Sequence, residues 1–161
     1  MSSERANAEW LARNRIMELR RMYGLATDLI GSGDASKVKE GEAIYEEIFT
    51  PAARLSAEGV ETVNGPAAWA DVVRNALEPY SATQHLIGTQ VVTSLELPEG
   101  DTPGHATMVS YLHAWHVEPD GALWTFLGTY HDKLVHTGGS GWQIDGMHLE
   151  RVTGERRPTS D

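Results

Sequence analysis

The hydrophobic period of this sequence changes near residue 80, and this change limits the possible folds more than any other feature. Before it, apolar residues recur at the three- and four-residue spacing of amphipathic helices; after it, they alternate as in β-strands. No repeat, low-complexity run or linker separates the two halves. We therefore predict a single α+β domain over residues 4–152, followed by a flexible polar tail at residues 153–161.

The first half predicts three helices and one short strand. One face of the first helix carries five apolar residues: Ile16, Leu19, Tyr23, Ala26 and Ile30. A Gly-Ser-Gly-Asp run at residues 31–34 ends this helix, and a second helical stretch lies near residues 42–49. A short strand follows near residues 54–57, and Pro66, a residue favoured in the first helical turn, precedes a third helix over residues 67–77.

The second half predicts four long strands, over residues 84–97, 105–117, 122–136 and 142–152, separated by turns rich in Gly, Pro and Asp. Strands that follow one another with short turns form an antiparallel meander. We expect this sheet to bend around the helices and to leave an open-ended cavity, which is the usual kind of place for a small-molecule ligand.

The charge balance argues against two classes of partner. Thirteen basic and 23 acidic residues give a net charge of −10, which repels nucleic-acid phosphates and anionic lipid surfaces. We interpret the arginines near the start as a solvent-exposed face of the first helix: Arg13, Arg15, Arg20 and Arg21. No stretch approaches the roughly 18 apolar residues of a membrane span, and residues 1–8 lack the apolar core of a signal peptide. We expect a cytoplasmic protein that binds neither nucleic acid nor membrane.

Several common chemistries lack their residues in this sequence. Cysteine is absent, which excludes disulfides, a thiolate nucleophile and Cys-ligated zinc. No serine elbow, Gly-rich phosphate loop or H-E-x-x-H pattern occurs, so no cofactor is predicted. His113 and His116 lie on opposite faces of one strand, as do His131 and His136, so neither pair supplies neighbouring metal ligands. We predict no metal, although a site assembled across strands stays open.

A few residues are candidates for acid–base chemistry. Strand alternation places His116 on one face with small and apolar residues: Met108, Ser110, Leu112 and Ala114. Asp28 lies near the C-terminal end of the first helix, where a carboxylate is unfavourable unless it is paired, and a histidine would supply that pairing. Structural alternatives stay open, since His85 also fits a cap or a core position, Asp28 a solvated helix end, and Tyr23 and Trp69 simple packing.

The order of several short motifs resembles the SnoaL-like branch of the nuclear transport factor 2 superfamily over residues 14–152. The segments that carry this resemblance are 16–19, 23–28, 48–53, 82–88, 114–116, 128–135 and 141–144. The resemblance implies a cone-shaped α+β barrel of the NTF2-like (cystatin-like) type, in which N-terminal helices pack on a curved antiparallel sheet.

The resemblance also implies a set of site residues. In lyases of the scytalone dehydratase and bile acid 7α-dehydratase type, the catalytic positions correspond here to Tyr23, Asp28, His85 and His116. Polar substrate contacts of the family correspond to Thr129 and His131. We expect further substrate contacts from the apolar wall: Met108, Leu112 and Trp69.

We therefore predict a cofactor-independent lyase that uses His/Asp acid–base catalysis on a small hydroxylated cyclic or aromatic substrate. Two alternatives stay open: a non-catalytic subunit or binding module, and a ketosteroid-isomerase-like enzyme with Asp132 or Asp145 as its base. A homo-oligomer, either a dimer or a trimer, is also expected. The reason is an outward sheet face too apolar to remain in water, formed by Val109, Tyr111, Trp115 and Phe126.

Overall fold

Three helices pack on a six-stranded sheet in the computed structural model of the chain, which describes residues 3–159. The helices are α1 (Ser3–Gly31), α2 (Ala35–Ile48) and α3 (Pro66–Leu77). The predicted apolar face of α1 is confirmed, because all five of its residues are buried. The α2 helix begins seven residues before the predicted start at residue 42. Its N-cap is Asp34, whose carboxylate accepts hydrogen bonds from the backbone N–H groups of Ser36 and Lys37.

The sheet is mixed and does not close into a barrel. Its strands are β1 (Phe49–Ala57), β2 (Val60–Asn64), β3 (Ala82–Glu96), β4 (Gly104–Val117), β5 (Leu123–His136) and β6 (Trp142–Arg157). They lie in the order β2-β1-β6-β5-β4-β3. The predicted antiparallel meander is confirmed for β3 to β6, but β1 pairs in parallel with β6 and extends the sheet through the β1–β2 hairpin. The α+β class is therefore right, and the all-antiparallel description of the sheet is wrong.

The polar segment at residues 153–157, which the sequence predicts to be loose, belongs to β6 instead. Its backbone pairs with residues 123–127 of β5. The Arg156 guanidinium also forms a forked pair of hydrogen bonds with the Glu118 carboxylate. The hydrogen bonds between neighbouring strands join backbone groups and need no apolar side chains. Hydrophobic patterning therefore does not reveal this extension of β6. Ser160 and Asp161, the end of the predicted tail, lie outside the described residues.

Arg20 is fully buried, which contradicts its assignment to a solvent-exposed helix face. Its Nε donates to Asp132 Oδ2 at 3.0 Å, and its Nη2 donates to the other oxygen of that carboxylate. The guanidinium carbon lies 4.4 Å from the ring centre of Tyr23 and 4.0 Å from that of Tyr130. Burial acts to lower the pKa of Arg20, but the Asp132 carboxylate together with Tyr130 and Tyr23 outweighs burial, so that pKa is raised. Arginine patterning on α1 cannot reveal a partner that is supplied by β5.

Alternation along β4 and β5 defines an inner face toward the helices and an outer face. Phe126, predicted on the outer face, lies on the inner face with Tyr130 and Asp132, because residues two apart on a strand share a face. The outer face still exposes large apolar side chains, including Tyr111 and Trp115. The expected homo-oligomer stays a prediction.

Among the described residues, no helix combines the length and the apolar character that a membrane crossing requires.

Candidate active site

A cavity of about 350 Å³ lies between α1, α3 and the inner face of the sheet. Its walls are mainly apolar and aromatic, and they include Trp69, Val73, Leu77, Leu112, Trp124 and Phe126. This volume is near the lower end of the range for small-molecule sites, roughly 300–1,000 Å³. The cavity therefore suits a compact ring compound better than a large polycyclic one.

Asp28 and His85 form a hydrogen-bonded pair at the edge of this cavity. The Nδ1 atom of His85 lies 2.7 Å from Asp28 Oδ1. Asp28 also accepts hydrogen bonds from the Thr83 hydroxyl and from the backbone N–H of His85, each at 3.0 Å. These three donors compensate an anion in the last turn of α1, where the helix dipole disfavours it. Asp28 is therefore held in place by the start of β3.

The pairing fixes the tautomer of His85. A carboxylate accepts hydrogen bonds, so the proton lies on Nδ1 and the Nε2 atom of the neutral ring keeps its lone pair. The His85 side chain is 7% exposed and lines the cavity, whereas the Asp28 side chain is 24% exposed and lies behind it. His85 Nε2 is thus available as a proton acceptor, with a carboxylate positioned to stabilise the imidazolium that would form.

His116, on β4, supplies the second imidazole. Its ring centre lies 5.6 Å from that of His85, and the two rings are nearly perpendicular. The Nδ1 atom of His116 donates to the backbone carbonyl of Trp124 at 3.1 Å. Burial, reinforced by the neighbouring His85, lowers the pKa of His116 to about 4. At neutral pH His116 is therefore uncharged, and its Nε2 accepts hydrogen bonds rather than donating them.

Tyrosine side chains form the floor of the cavity. The Tyr23 hydroxyl accepts a hydrogen bond from Trp69 Nε1 at 3.1 Å. The Tyr23 ring stacks on Tyr45 at 5.3 Å and meets Tyr130 edge-on at 5.5 Å. Burial holds the pKa of Tyr45 and of Tyr130 well above the ordinary value, so both remain neutral phenols. The Tyr23 and Tyr130 side chains thus line the same cavity as the two imidazoles.

Five of the nine predicted site residues line the cavity, and a sixth supports one of them. The five are Tyr23, Trp69, His85, Leu112 and His116, and the sixth is Asp28 behind His85. Tyr130 also lines the cavity but was missed by the sequence reasoning. The available signal was strand alternation, since Tyr130 shares a face with Asp132, which the sequence analysis considered as a candidate base.

The remaining three predicted contacts lie elsewhere. Thr129 lies in an outer-face groove beside Tyr111. His131 is exposed and hydrogen-bonds to Glu150 at 2.9 Å. Neither residue lines the cavity, because alternation along β5 turns Tyr130 inward and therefore turns its neighbours outward. Met108 does point inward, but it is buried in the packed core and does not line this cavity.

Metal ligation has no evident place in the described part of the chain. Within residues 3–159, no group of three or more His, Asp or Glu side chains is arranged to hold a metal ion. The polar groups at the cavity include the Asp28–His85 pair, the His116 imidazole and the Tyr23 and Tyr130 phenols, which are suited to moving protons.

This arrangement of helices on a curved mixed sheet is the NTF2-like fold, and solved structures support that classification. A protein from Kribbella flavida, Kfla4162, is 24% identical over 91% of this chain and 95% of its own, with a TM-score of 0.72. A hexachlorocyclohexane dehydrochlorinase, LinA-type3 from Novosphingobium barchaimii, is 15% identical over 92% of this chain and 91% of its own, with a TM-score of 0.71. A scytalone dehydratase candidate from Novosphingobium aromaticivorans is 14% identical over 96% and 93%, with a TM-score of 0.71.

The sequence model of the SnoaL-like domain matches residues 10–148, which is most of the chain. The chain therefore belongs to the SnoaL-like family, as its motifs predicted. No curated protein sequence matches it. At these identities the solved structures establish the fold alone.

Proposed function

We propose that this protein is a cofactor-independent lyase that eliminates water, or a related leaving group, from a compact hydroxylated ring compound. The observation that carries the proposal is the Asp28–His85 pair, which leaves the Nε2 lone pair of His85 free at an apolar cavity. Such a histidine is a usable general base near neutral pH.

In the proposed step, His85 Nε2 removes a proton from a carbon next to the one that bears the leaving oxygen. The electron pair of that C–H bond forms the new C=C bond, and the C–O bond breaks with its electrons on oxygen. The imidazolium, stabilised by Asp28 at 2.7 Å, then returns the proton to that oxygen and releases water. Base and acid are thus the same residue, and the reaction is balanced without a further reactant.

His116 and the tyrosines take supporting roles in this proposal. We assign His116 Nε2 to accept a hydrogen bond from a substrate hydroxyl, because its Nδ1 proton is engaged by Trp124. Because the pKa of His116 is about 4, this residue does not act as the acid that protonates the leaving group at neutral pH. The Tyr23 and Tyr130 hydroxyls are suited to polarising a carbonyl or phenol oxygen of the substrate.

Two structural relatives are consistent with this reaction class. The names of the dehydrochlorinase and of the scytalone dehydratase candidate denote loss of hydrogen chloride and of water, respectively. Both are eliminations that create a double bond, and a base beside an apolar ring-sized cavity serves either one. The likeness supports the class of reaction and leaves the substrate to experiment.

The two alternatives have weaker support. A binding module whose histidines serve only as core residues does not require the cavity beside His85. An isomerase needs a carboxylate base in the cavity, but Asp132 is locked in its ion pair with Arg20. Asp145 accepts a hydrogen bond from the Thr50 hydroxyl at 2.7 Å and lines a groove on the other side of the sheet. Elimination by His85 is therefore the better proposal.

A screen for loss of one water tests the proposal. Hydroxylated aromatic and alicyclic compounds are incubated with the protein, and products are identified by mass spectrometry and by the absorbance of the new double bond. We expect His85→Ala to lower kcat by roughly 10²–10⁴-fold on any compound that is turned over. The matched control is His113→Ala, because His113 is exposed on the outer face of the neighbouring strand β4. Equal activity of the wild type and His85→Ala would refute the assignment.

A further inference from the structure

Two side chains of the acidic and basic types line the cavity among residues 3–159, and they are Glu58 and Arg151. Both are exposed, which places them at the open end. The other lining groups are apolar side chains, aromatic rings, imidazoles and hydroxyls. A charged group of a bound molecule would therefore be recognised at the open end of the cavity rather than along its walls.

The two charges are not equally available. The Glu58 carboxylate accepts a hydrogen bond from the backbone N–H of Arg151 at 3.0 Å. The Arg151 guanidinium, in contrast, forms no hydrogen bond or ion pair with any residue in the described range 3–159. Arg74 and Arg156, which are also partly exposed, are each paired with two carboxylates. Arg151 thus offers a complete set of donors to a ligand.

The Arg151 guanidinium lies near the backbone of Gly154 and the Trp124 ring. A Cβ atom at Gly154 would be 3.3 Å from Arg151 Nη2 and 3.4 Å from Trp124 Cζ2, so both groups flank the same point. The Trp124 ring centre is in turn 5.1 Å from that of His116. Arg151 therefore lies near the Trp124 ring, which in turn neighbours His116, and all three side chains line the same cavity.

We propose that Arg151 determines substrate specificity by binding a carboxylate, so that the substrate is a hydroxylated ring compound that carries a carboxylic acid. This inference rests on the proposed function, whose base acts at the opposite end of the same molecule. The planar guanidinium matches a carboxylate with two parallel N–H···O bonds. A single arginine with no second cation among the lining residues suits one negative charge better than a phosphate dianion.

The negative charge of the protein does not prevent this binding. The net charge of −10 is spread over the whole surface, and salt screens exposed charges beyond about 8 Å at physiological ionic strength. The carboxylates nearest the cavity, Asp28 and Glu58, already accept hydrogen bonds from protein groups. A charge-assisted pair at the mouth is therefore favourable.

Binding of two matched probes tests the inference without turnover. Naphthalene-1-carboxylate and naphthalene-1-carboxamide have nearly the same shape and differ in charge, and their dissociation constants are measured by calorimetry at pH 8. We expect the wild type to bind the carboxylate about tenfold more tightly than the amide.

Variants of Arg151 decide the outcome. Arg151→Gln should remove the preference by weakening carboxylate binding about tenfold, and Arg151→Lys should restore it in part, because a lysine keeps the charge but loses the forked geometry. The control Arg157→Gln removes an exposed arginine of the same strand that does not line the cavity, and it should keep the full preference. Equal binding of both probes by the wild type, binding of neither, or a preference that survives Arg151→Gln would overturn the inference.

The same measurement separates this inference from the proposed lyase activity. His85→Ala should keep the carboxylate-to-amide ratio while losing turnover. A lost ratio in Arg151→Gln together with no detectable elimination would uphold the specificity role and reject the lyase. Elimination that depends on His85 but shows no carboxylate preference would uphold the lyase activity and reject the specificity role of Arg151.

Discussion

The Nδ1 atom of His85 lies 2.7 Å from the Oδ1 atom of Asp28, and this contact joins the last turn of α1 to the start of β3 across the edge of the cavity. The two residues are 57 positions apart in the chain. Through this hydrogen bond, a carboxylate at an unfavourable helix-end position holds and orients an imidazole. The proposed acid–base chemistry depends on this pair.

Replacement of Asp28 by Asn should therefore lower kcat more than it lowers stability. An amide keeps the shape of the side chain, but it no longer carries the charge that stabilises an imidazolium, and it permits the other tautomer of His85. We expect a loss of roughly 10²-fold or more in kcat, with a melting temperature within a few degrees of the wild type. Steady-state kinetics and thermal unfolding measure the two quantities.

The control for that variant is Asp101→Asn, which changes an exposed carboxylate in the turn between β3 and β4. It should leave both kcat and melting temperature unchanged. If Asp28→Asn retains full activity on a substrate that requires His85, the carboxylate has no part in the reaction.

His116 should make stability depend on pH in a defined direction. Its pKa is about 4 in the folded protein, below the ordinary value of 6.5 that applies to an unfolded chain. Between these values the unfolded state binds more protons than the folded state, so the free energy of unfolding falls as the pH is lowered from about 6.5 to about 4. The contribution of one such group has a slope of at most about 1.4 kcal/mol per pH unit.

Urea unfolding at a series of pH values measures that slope. In His116→Gln the decrease over this pH window should be smaller than in the wild type, since glutamine does not titrate. His105→Gln is the control, because His105 is exposed on the outer side of the same strand. An identical pH dependence of His116→Gln and the wild type would contradict the low pKa.

The buried Arg20–Asp132 pair should stabilise the fold only as a pair. Arg20→Met leaves the Asp132 carboxylate without its cation in a site with no solvent access, and we expect a loss of about 3–5 kcal/mol in the free energy of unfolding. The double variant Arg20→Met with Asp132→Leu removes both charges and should recover most of that loss. Chemical denaturation of the two single variants and the double variant measures the coupling. Additive losses in the double variant would show that the two side chains act independently.

Local patterning predicted much of the architecture correctly. The buried face of α1, the N-terminal proline of α3 and the four strands of the meander all follow from spacing and turn chemistry. The parallel pairing of β1 with β6 does not, because it joins segments about 90 residues apart and leaves no periodic mark in either one. The β6 extension over residues 153–157 was missed for a related reason, since its partners are backbone groups.

The candidate site divides in the same way. Residue chemistry and motif order were enough to select Tyr23, Asp28, His85 and His116 as candidates. The position of each residue along its helix or strand limited the direction in which its side chain can point. Which residues meet was decided by the tertiary structure: Asp28 with His85, and Arg20 with Asp132 in the core rather than with water. The sequence sets the chemistry and the local period, whereas strand register and helix packing set the distances between groups. Those distances determine which proton a base can reach and which charge has a partner.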